Sequence, residues 1–285
     1  MINTSIFFAD PQSDPERMAI SPSKNWGDVI SYMLIKYFSK SNKIAPEDVF
    51  WFDPNGVQLL KNGKILAVGS AMKFTKPNDL VWGTGVISPG TIGDIPKKVY
   101  AVRGPLSKNE MIKKGIKVPE IYGDPALLFP KIYNPSNVIR KKHKLGIIPH
   151  YIDYVDSNVI DRLKELEQQG IKIINITAGV FHFIDEILSC EKIVSSTLHG
   201  LIAADAYGIP NARIKLSNRI QGGNFKYDDY YASIHRPSLL NNINIFEPIN
   251  LNTLMNLQFN CEFNLDLDLL LNNSPWMDPD NKDYF

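Results

Sequence analysis

Residues 193–202 read Ile-Val-Ser-Ser-Thr-Leu-His-Gly-Leu-Ile, an apolar run broken by three hydroxyl residues and a histidine before it resumes. Ile193 and Val194 read as the end of a buried strand. Leu198 to Tyr207 reads as a helix, stopped by Gly208 and Pro210. His199 then lies in the first turn of a helix that follows a strand, where backbone N–H groups lack intrahelical partners and anions are favoured. A helix N-terminus also disfavours imidazolium, which leaves the ring neutral and able to accept a proton near pH 7. Ser195, Ser196, Thr197 and the adjacent N–H groups form a candidate anion site. A base and an anion site on one turn suit transfer from an anionic donor. The competing account is a structural histidine with its hydrogen bonds satisfied inside the fold.

Short apolar runs alternate with helical patterns on both sides of this stretch. Runs at residues 2–10, 49–52, 64–69, 80–82 and 99–102 read as strands, with helices at 26–38 and 106–114. From Lys144 the pattern restarts. Strands are expected at 145–148, 171–176, 191–196 and 211–216, and helices at 157–169, 180–190, 198–207 and 227–234. Such alternation predicts an α/β chain whose parallel sheets are covered on both faces. The polar segment 132–144 carries Pro135 and separates the two series, so domains are expected at 1–135 and 144–236. A tail, 237–285, holds one weakly patterned helix at 263–271.

With 285 residues the chain is long enough for two domains. Its 31 basic and 30 acidic residues give a net charge of +1, which exerts no long-range pull on nucleic acid. Cys190 and Cys261 lack metal-ligand or CxxC spacing, and no HExxH, EF-hand, GxSxG, GxGxxG or P-loop pattern occurs. Neither a metal nor a bound cofactor is expected. No leader or 18-residue apolar stretch is present, so a cytoplasmic protein with at most peripheral membrane contact is expected.

Because ligands bind outside the carboxyl ends of parallel strands, the junctions after strands carry the other candidates. Asn25, Gly27 and Asp28 open the first long helix, either as a capping motif or as a close approach to a ligand. Gly83, Thr84 and Gly85 form either a plain glycine turn or a loop of N–H donors around an anion. Arg103 follows a strand and is either a bidentate grip on a phosphate or carboxylate or an ion pair. Asp124, before Pro125, favours a turn and is also placed to reach a cleft rim. His150 lies just beyond a strand, unlike His143, His182 and His235.

Taken in order from Asn25 to Ser233, "NWGD", "GTGVI", "VRGPLS", "GDPALL", "IPHY", "SSTLHGLIAADAYGIP" and "FKYDDYY" resemble the polysaccharide pyruvyl transferase family. The resemblance implies two Rossmann-like domains facing across a cleft, similar to the GT-B glycosyltransferases. The N-terminal domain would take the acceptor and the C-terminal domain the donor. It implies phosphoenolpyruvate as co-substrate and a sugar of a lipid-linked bacterial surface glycan as acceptor, joined as a pyruvate ketal with release of phosphate. His199 matches the family's essential histidine and Leu198 the residue before it, while Thr197 stands where the family has an arginine. Arg103 and His150 are the candidates to replace that charge, with Arg213, Lys215 and Arg219 in reserve. On this reading His199 and Arg103 carry the chemistry, and His150 with Ser195, Ser196, Thr197 and Leu198 holds the donor. Asn25, Gly27, Asp28, Gly83, Thr84, Gly85, Lys226 and Tyr227 are expected around the substrates. The alternatives are a GT-B glycosyltransferase using a nucleotide sugar and an inactive glycan-assembly protein of the same fold.

Overall fold

The computed structural model describes residues 25–42, 63–241, 243–282 and 285. The strands expected at 2–10 and 49–52 lie outside the described residues. Elsewhere the chain forms two compact units, and neither is contiguous in sequence. Of the described residues, the first gathers those of Tyr133–Ile220 and Leu239–Glu262 with residues 25–26; the second gathers residues 27–42 and 63–132 with those of Gln221–Ser238 and Phe263–Phe285. The segment after Ile220, expected to belong with residues 144–236, therefore groups with the second unit.

In the first unit β4 (His143–Ile148), β5 (Lys172–Ile173), β6 (Cys190–Ser195) and β7 (Asn211–Arg213) form a wholly parallel sheet in the order β5-β4-β6-β7. The connections are α3 (Ser157–Gln168), α4 (Val180–Leu188) and α5 (Leu198–Ala206). On α3, Val159, Leu163 and Leu166 repeat at helical spacing and pack with Leu145, Ile147 and Val194 of the sheet. Asp156 caps this helix by accepting from the Asn158 N–H at 3.1 Å, and Gly170, at φ +86°, ends it. Gly146 in β4 is required by packing. A Cβ there would meet Ile174, Ile193 and Cys190 side-chain atoms within 2.9 Å.

The second unit is built on a parallel sheet β1-β2-β3, formed by Ile65–Leu66, Leu80–Trp82 and Lys98–Ala101. Two helices, α1 (Trp26–Ser39) and α2 (Pro105–Lys113), precede and follow it; the division between the units falls within α1, after Trp26. Met72, Val81, Val86, Val99, Val102, Met111 and Ile116 fill one core. The remaining helices are α6 (Phe225–Ser233), α7 (Leu251–Met255) and α8 (Leu267–Asn272). The expected tail helix is thus present, shorter than 263–271. Trp82 fixes it to the second unit by donating its indole N–H to the Leu270 carbonyl at 3.0 Å.

Three strands end sooner than their apolar runs, at Leu66, Ile173 and Arg213, because hydrogen-bonded pairing stops there although apolar burial continues through residues such as Ile174 and Leu216. Parallel strands in both units confirm the mixed α/β class.

Candidate active site

The strand order locates the site. The chain leaves β4 for β5 on one side, then returns to place β6 on the other, so the connections part between the carboxyl ends of β4 and β6. That parting is the topological switch point, where open α/β sheets bind ligands. His150 follows β4 and residues 196–199 follow β6.

The two loops are fastened together. The His150 N–H donates to Ser196 Oγ at 2.8 Å and to Asp153 Oδ2 at 3.0 Å, while the Ser196 hydroxyl donates to the same carboxylate oxygen at 2.6 Å. Ser217, beyond β7, donates to Asp153 Oδ1 at 2.5 Å. One fully buried carboxylate thereby ties the loops after three strands. Sequence reasoning missed Asp153; its one local signal was the His150/Asp153 capping box of the short 3₁₀ turn at Tyr151–Val155.

The two histidines meet different partners at Nδ1. His150 Nδ1 accepts from the Ile152 N–H at 3.2 Å, so the neutral ring carries its proton on Nε2. His199 Nδ1 lies 3.2 Å from Asn25 Oδ1, an acceptor, so this ring carries its proton on Nδ1 and keeps its lone pair on Nε2. Both residues are half-buried. His150 thus meets a backbone donor and His199 a side-chain carbonyl. Asn25, buried, is positioned by its neighbour: Trp26 donates its backbone N–H to the Ile176 carbonyl at 3.1 Å and packs its ring on Phe183 at 5.6 Å.

Ser195 serves the turn itself. Its Oγ donates to the carbonyl region of Ile148 and Thr197, at 3.0 Å each, and accepts from the Thr197 N–H at 3.1 Å. Thr197 is the N-cap of α5 without a side-chain capping bond, and Leu198 is buried behind it. A Cβ on Gly200 would approach Ser195 Oγ to 2.5 Å, so glycine lets the first turn of α5 close onto the sheet. Arg213 is brought next to this turn by register, paired with Ser195 across β6 and β7.

In the second unit the structure corrects three expectations. Arg103 is completely buried rather than presented to a substrate. Its Nε donates to Asp229 Oδ2 at 2.9 Å, and its terminal nitrogens donate to Ser70 Oγ at 2.5 Å and to the Gly69 and Val86 carbonyls at 3.4 and 2.7 Å. Ser107 donates to the same Asp229 carboxylate through both its N–H (2.7 Å) and its hydroxyl (2.6 Å). The Arg103/Ser107 spacing is therefore that of an internal ion pair, which anchors α6.

The loop at Gly83, Thr84 and Gly85 is likewise no anion cradle. The N–H groups of Gly83, Gly85 and Val86 donate to Ala101 O, Gly69 O and Ser107 Oγ, and Gly85 lies so close to the Arg103 guanidinium that a Cβ would come within 2.3 Å. Lys226 and Tyr227, expected beside a substrate, are buried on α6, with the Lys226 ammonium 5.4 Å from the Tyr227 ring centre. Gly27 and Asp28 fall in the first turn of α1.

Asp124 caps the turn Pro125–Lys131 by accepting from the Ala126 N–H at 3.0 Å. Burial pushes its carboxyl up to about 6, with the nearby Arg103 charge opposing, and its Oδ2 has no hydrogen-bond partner. Among the described residues no three His, Cys, Asp or Glu side chains gather as a metal site, and no helix is long and apolar enough to cross a membrane.

The chain is thus an α/β protein with parallel sheets that places two histidines and a helix N-terminus at a switch point. The polysaccharide pyruvyl transferase family model matches residues 25–218, and the chain belongs to that family. It is similar to the succinoglycan biosynthesis protein ExoV of Rhizobium meliloti, 29% identical over 161 residues, which is 54% of this chain and 47% of that protein. An uncharacterised protein of Acanthamoeba polyphaga mimivirus is 28% identical over 167 residues, 58% of either chain. The chain thus spans about half the length of the curated relatives it matches. No solved structure matches it at the same stringency.

Proposed function

We propose that the protein transfers the pyruvyl group of phosphoenolpyruvate to a sugar of a surface glycan, forming a cyclic ketal and releasing phosphate. The observation that carries this reading is the placement of two half-buried histidines at the switch point, His150 Nδ1 accepting from the Ile152 N–H and His199 Nδ1 against Asn25 Oδ1. His199 Nε2 takes the proton of an attacking sugar hydroxyl as that oxygen adds to C2 of the enol phosphate, while C3 gains a proton from water and becomes a methyl group. A second hydroxyl of the same sugar then displaces phosphate from C2 and closes the ketal, its proton leaving with the phosphate.

His150, donating from Nε2, and the first turn of α5 face the donor's negative groups, and charge growing on the departing phosphate strengthens those contacts. Thr197 supplies no charge in place of the family arginine. Arg213, buried and paired in register with Ser195 one strand spacing of about 4.8 Å away, is the nearest strand-borne cation to the donor turn. The two-lobed GT-B-like arrangement and a lipid-linked acceptor belong to the same reading.

The test is mass spectrometry of candidate glycans incubated with phosphoenolpyruvate and the full chain. Pyruvate addition with loss of water, matched by phosphate release, is the expected result. Thermal stabilisation by a nucleoside diphosphate sugar and none by phosphoenolpyruvate would overturn it in favour of a glycosyltransferase.

A further inference from the structure

A cavity of about 720 Å³ opens in the first unit beyond the carboxyl end of β7. Neither histidine nor the turn at residues 195–197 lines it. One wall is the stretch from Lys215 to Arg219 and the other is the returning loop around Asn241 and Phe246. The returning loop runs beside β7, the Asn241 N–H donating to the Arg213 carbonyl at 3.0 Å.

That loop is held rigidly. The Arg162 guanidinium donates to the carbonyls of Ile245, Glu247 and Ile249 at 2.5, 3.1 and 3.1 Å, and the Ile245 side chain is buried in the core. Between those fixed points the Phe246 ring is 54% exposed at the cavity. A large aromatic side chain left in water on a pinned loop is a preformed apolar platform, and binding to it costs little ordering. Opposite it stand the polar side chains of Ser217 and Asn218. The Asn218 amide offers a donor and an acceptor, as neighbouring sugar hydroxyls require.

The cavity's charges are mixed, Lys215 and Arg219 lining it with one carboxylate. Asp156 lines the cavity and caps α3, so a carboxylate already occupies the helix N-terminus that a phosphate would use. Arg219 lies 3.7 Å from that carboxylate, which offsets its charge.

We propose that this cavity is a saccharide subsite that holds a sugar next to the one being modified, a reading that rests on the glycan-modifying function above. β7 is two strands from β4, or about 10 Å along the sheet edge at about 4.8 Å per strand, a distance suited to a neighbouring residue of the same chain of sugars. Ser217 joins the two places physically, since it lines the cavity and donates to the Asp153 carboxylate that organises the donor loops.

The experiment is binding of the full chain to immobilised tetrasaccharides of glucose, galactose, mannose and N-acetylglucosamine, compared with Phe246→Ala and Asn218→Ala. Both substitutions fall on exposed side chains, and a thermal melt checks the fold of each variant. The expected result is retention of at least one tetrasaccharide by the wild type, weakened tenfold or more by Phe246→Ala and severalfold by Asn218→Ala. No binding to any tetrasaccharide, or undiminished binding by both variants, overturns the proposal. Tight binding of inorganic pyrophosphate that Arg219→Gln abolishes also overturns it, in favour of a phosphate site. The array reads binding without chemistry, so failure of phosphoenolpyruvate transfer leaves its result standing. Conversely, transfer with an unchanged oligosaccharide KM in Phe246→Ala refutes the subsite alone.

Discussion

The two units each carry a dense polar cluster beside a parallel sheet, and they use it in opposite ways. Around Arg103 every element is sealed: guanidinium, Asp229 and Ser107 are fully buried and hydrogen-bonded to one another and to backbone carbonyls. Around His199 the buried members, Asp153, Ser195 and Ser196, underlie two half-buried rings, His150 and His199, at the ends of β4 and β6. Charge at a strand terminus is therefore not by itself a ligand site. What separates the two is burial: the Arg103 side chain is sealed from solvent, whereas both imidazole rings are partly exposed.

The contrast is broken or sharpened by substitution on each side. His199→Ala is expected to lower pyruvyl transfer by about 10²–10⁴ with the melting temperature nearly unchanged, read by phosphate release and a thermal melt. Full activity in that variant would remove the ring from the chemistry. Asp229→Ala should do the reverse and cost about 3–5 kcal/mol in urea unfolding, because it leaves a buried guanidinium unpaired. If it abolished transfer without loss of stability, the Arg103 cluster would belong with the chemistry after all.

Asp124 tests the sealed side by pH. Its carboxyl is about 6 in the folded chain against about 3.9 unfolded. A raised carboxyl favours the folded state while protonated, so its contribution is present below about 4 and lost as pH rises through about 6. Between pH 4 and pH 7 the unfolding free energy of Asp124→Asn should gain about 2–3 kcal/mol relative to wild type. A constant difference across that range would show that burial does not govern this group. The smallest effect is expected from Ser217→Ala, about 1.5 kcal/mol in stability from one lost hydrogen bond to a buried carboxylate, together with slower transfer. Loss of stability without slower transfer would show that Asp153 supports the fold alone.

The alternation of apolar runs was enough to read seven described strands, because burial on both faces leaves continuous apolar segments. The His199 turn was legible for the same reason, as a local departure from that pattern. Arg103 was misread because its partner, Asp229, lies 126 residues further along the chain, and no local spacing reveals a pair so distant. The glycine loop was misread with it: glycines that let a backbone approach a phosphate look the same as glycines that make room for a guanidinium. The Phe246 cavity left no motif, since it joins residues 215–219 to a loop beyond residue 240 that carries no periodic signal.

The return of Gln221–Ser238 to the second unit has a practical consequence for anyone dividing this molecule. A chain ended after Ile220 would keep all seven described strands yet lose α6, α7 and α8 and strip Arg103 of its counter-ion. A fragment begun at Tyr133 would carry α6 with nothing to clasp. Exchanging lobes between relatives therefore calls for splicing at several points at once, and a deletion series along the gene should show abrupt, all-or-none loss of expression and not two separable pieces.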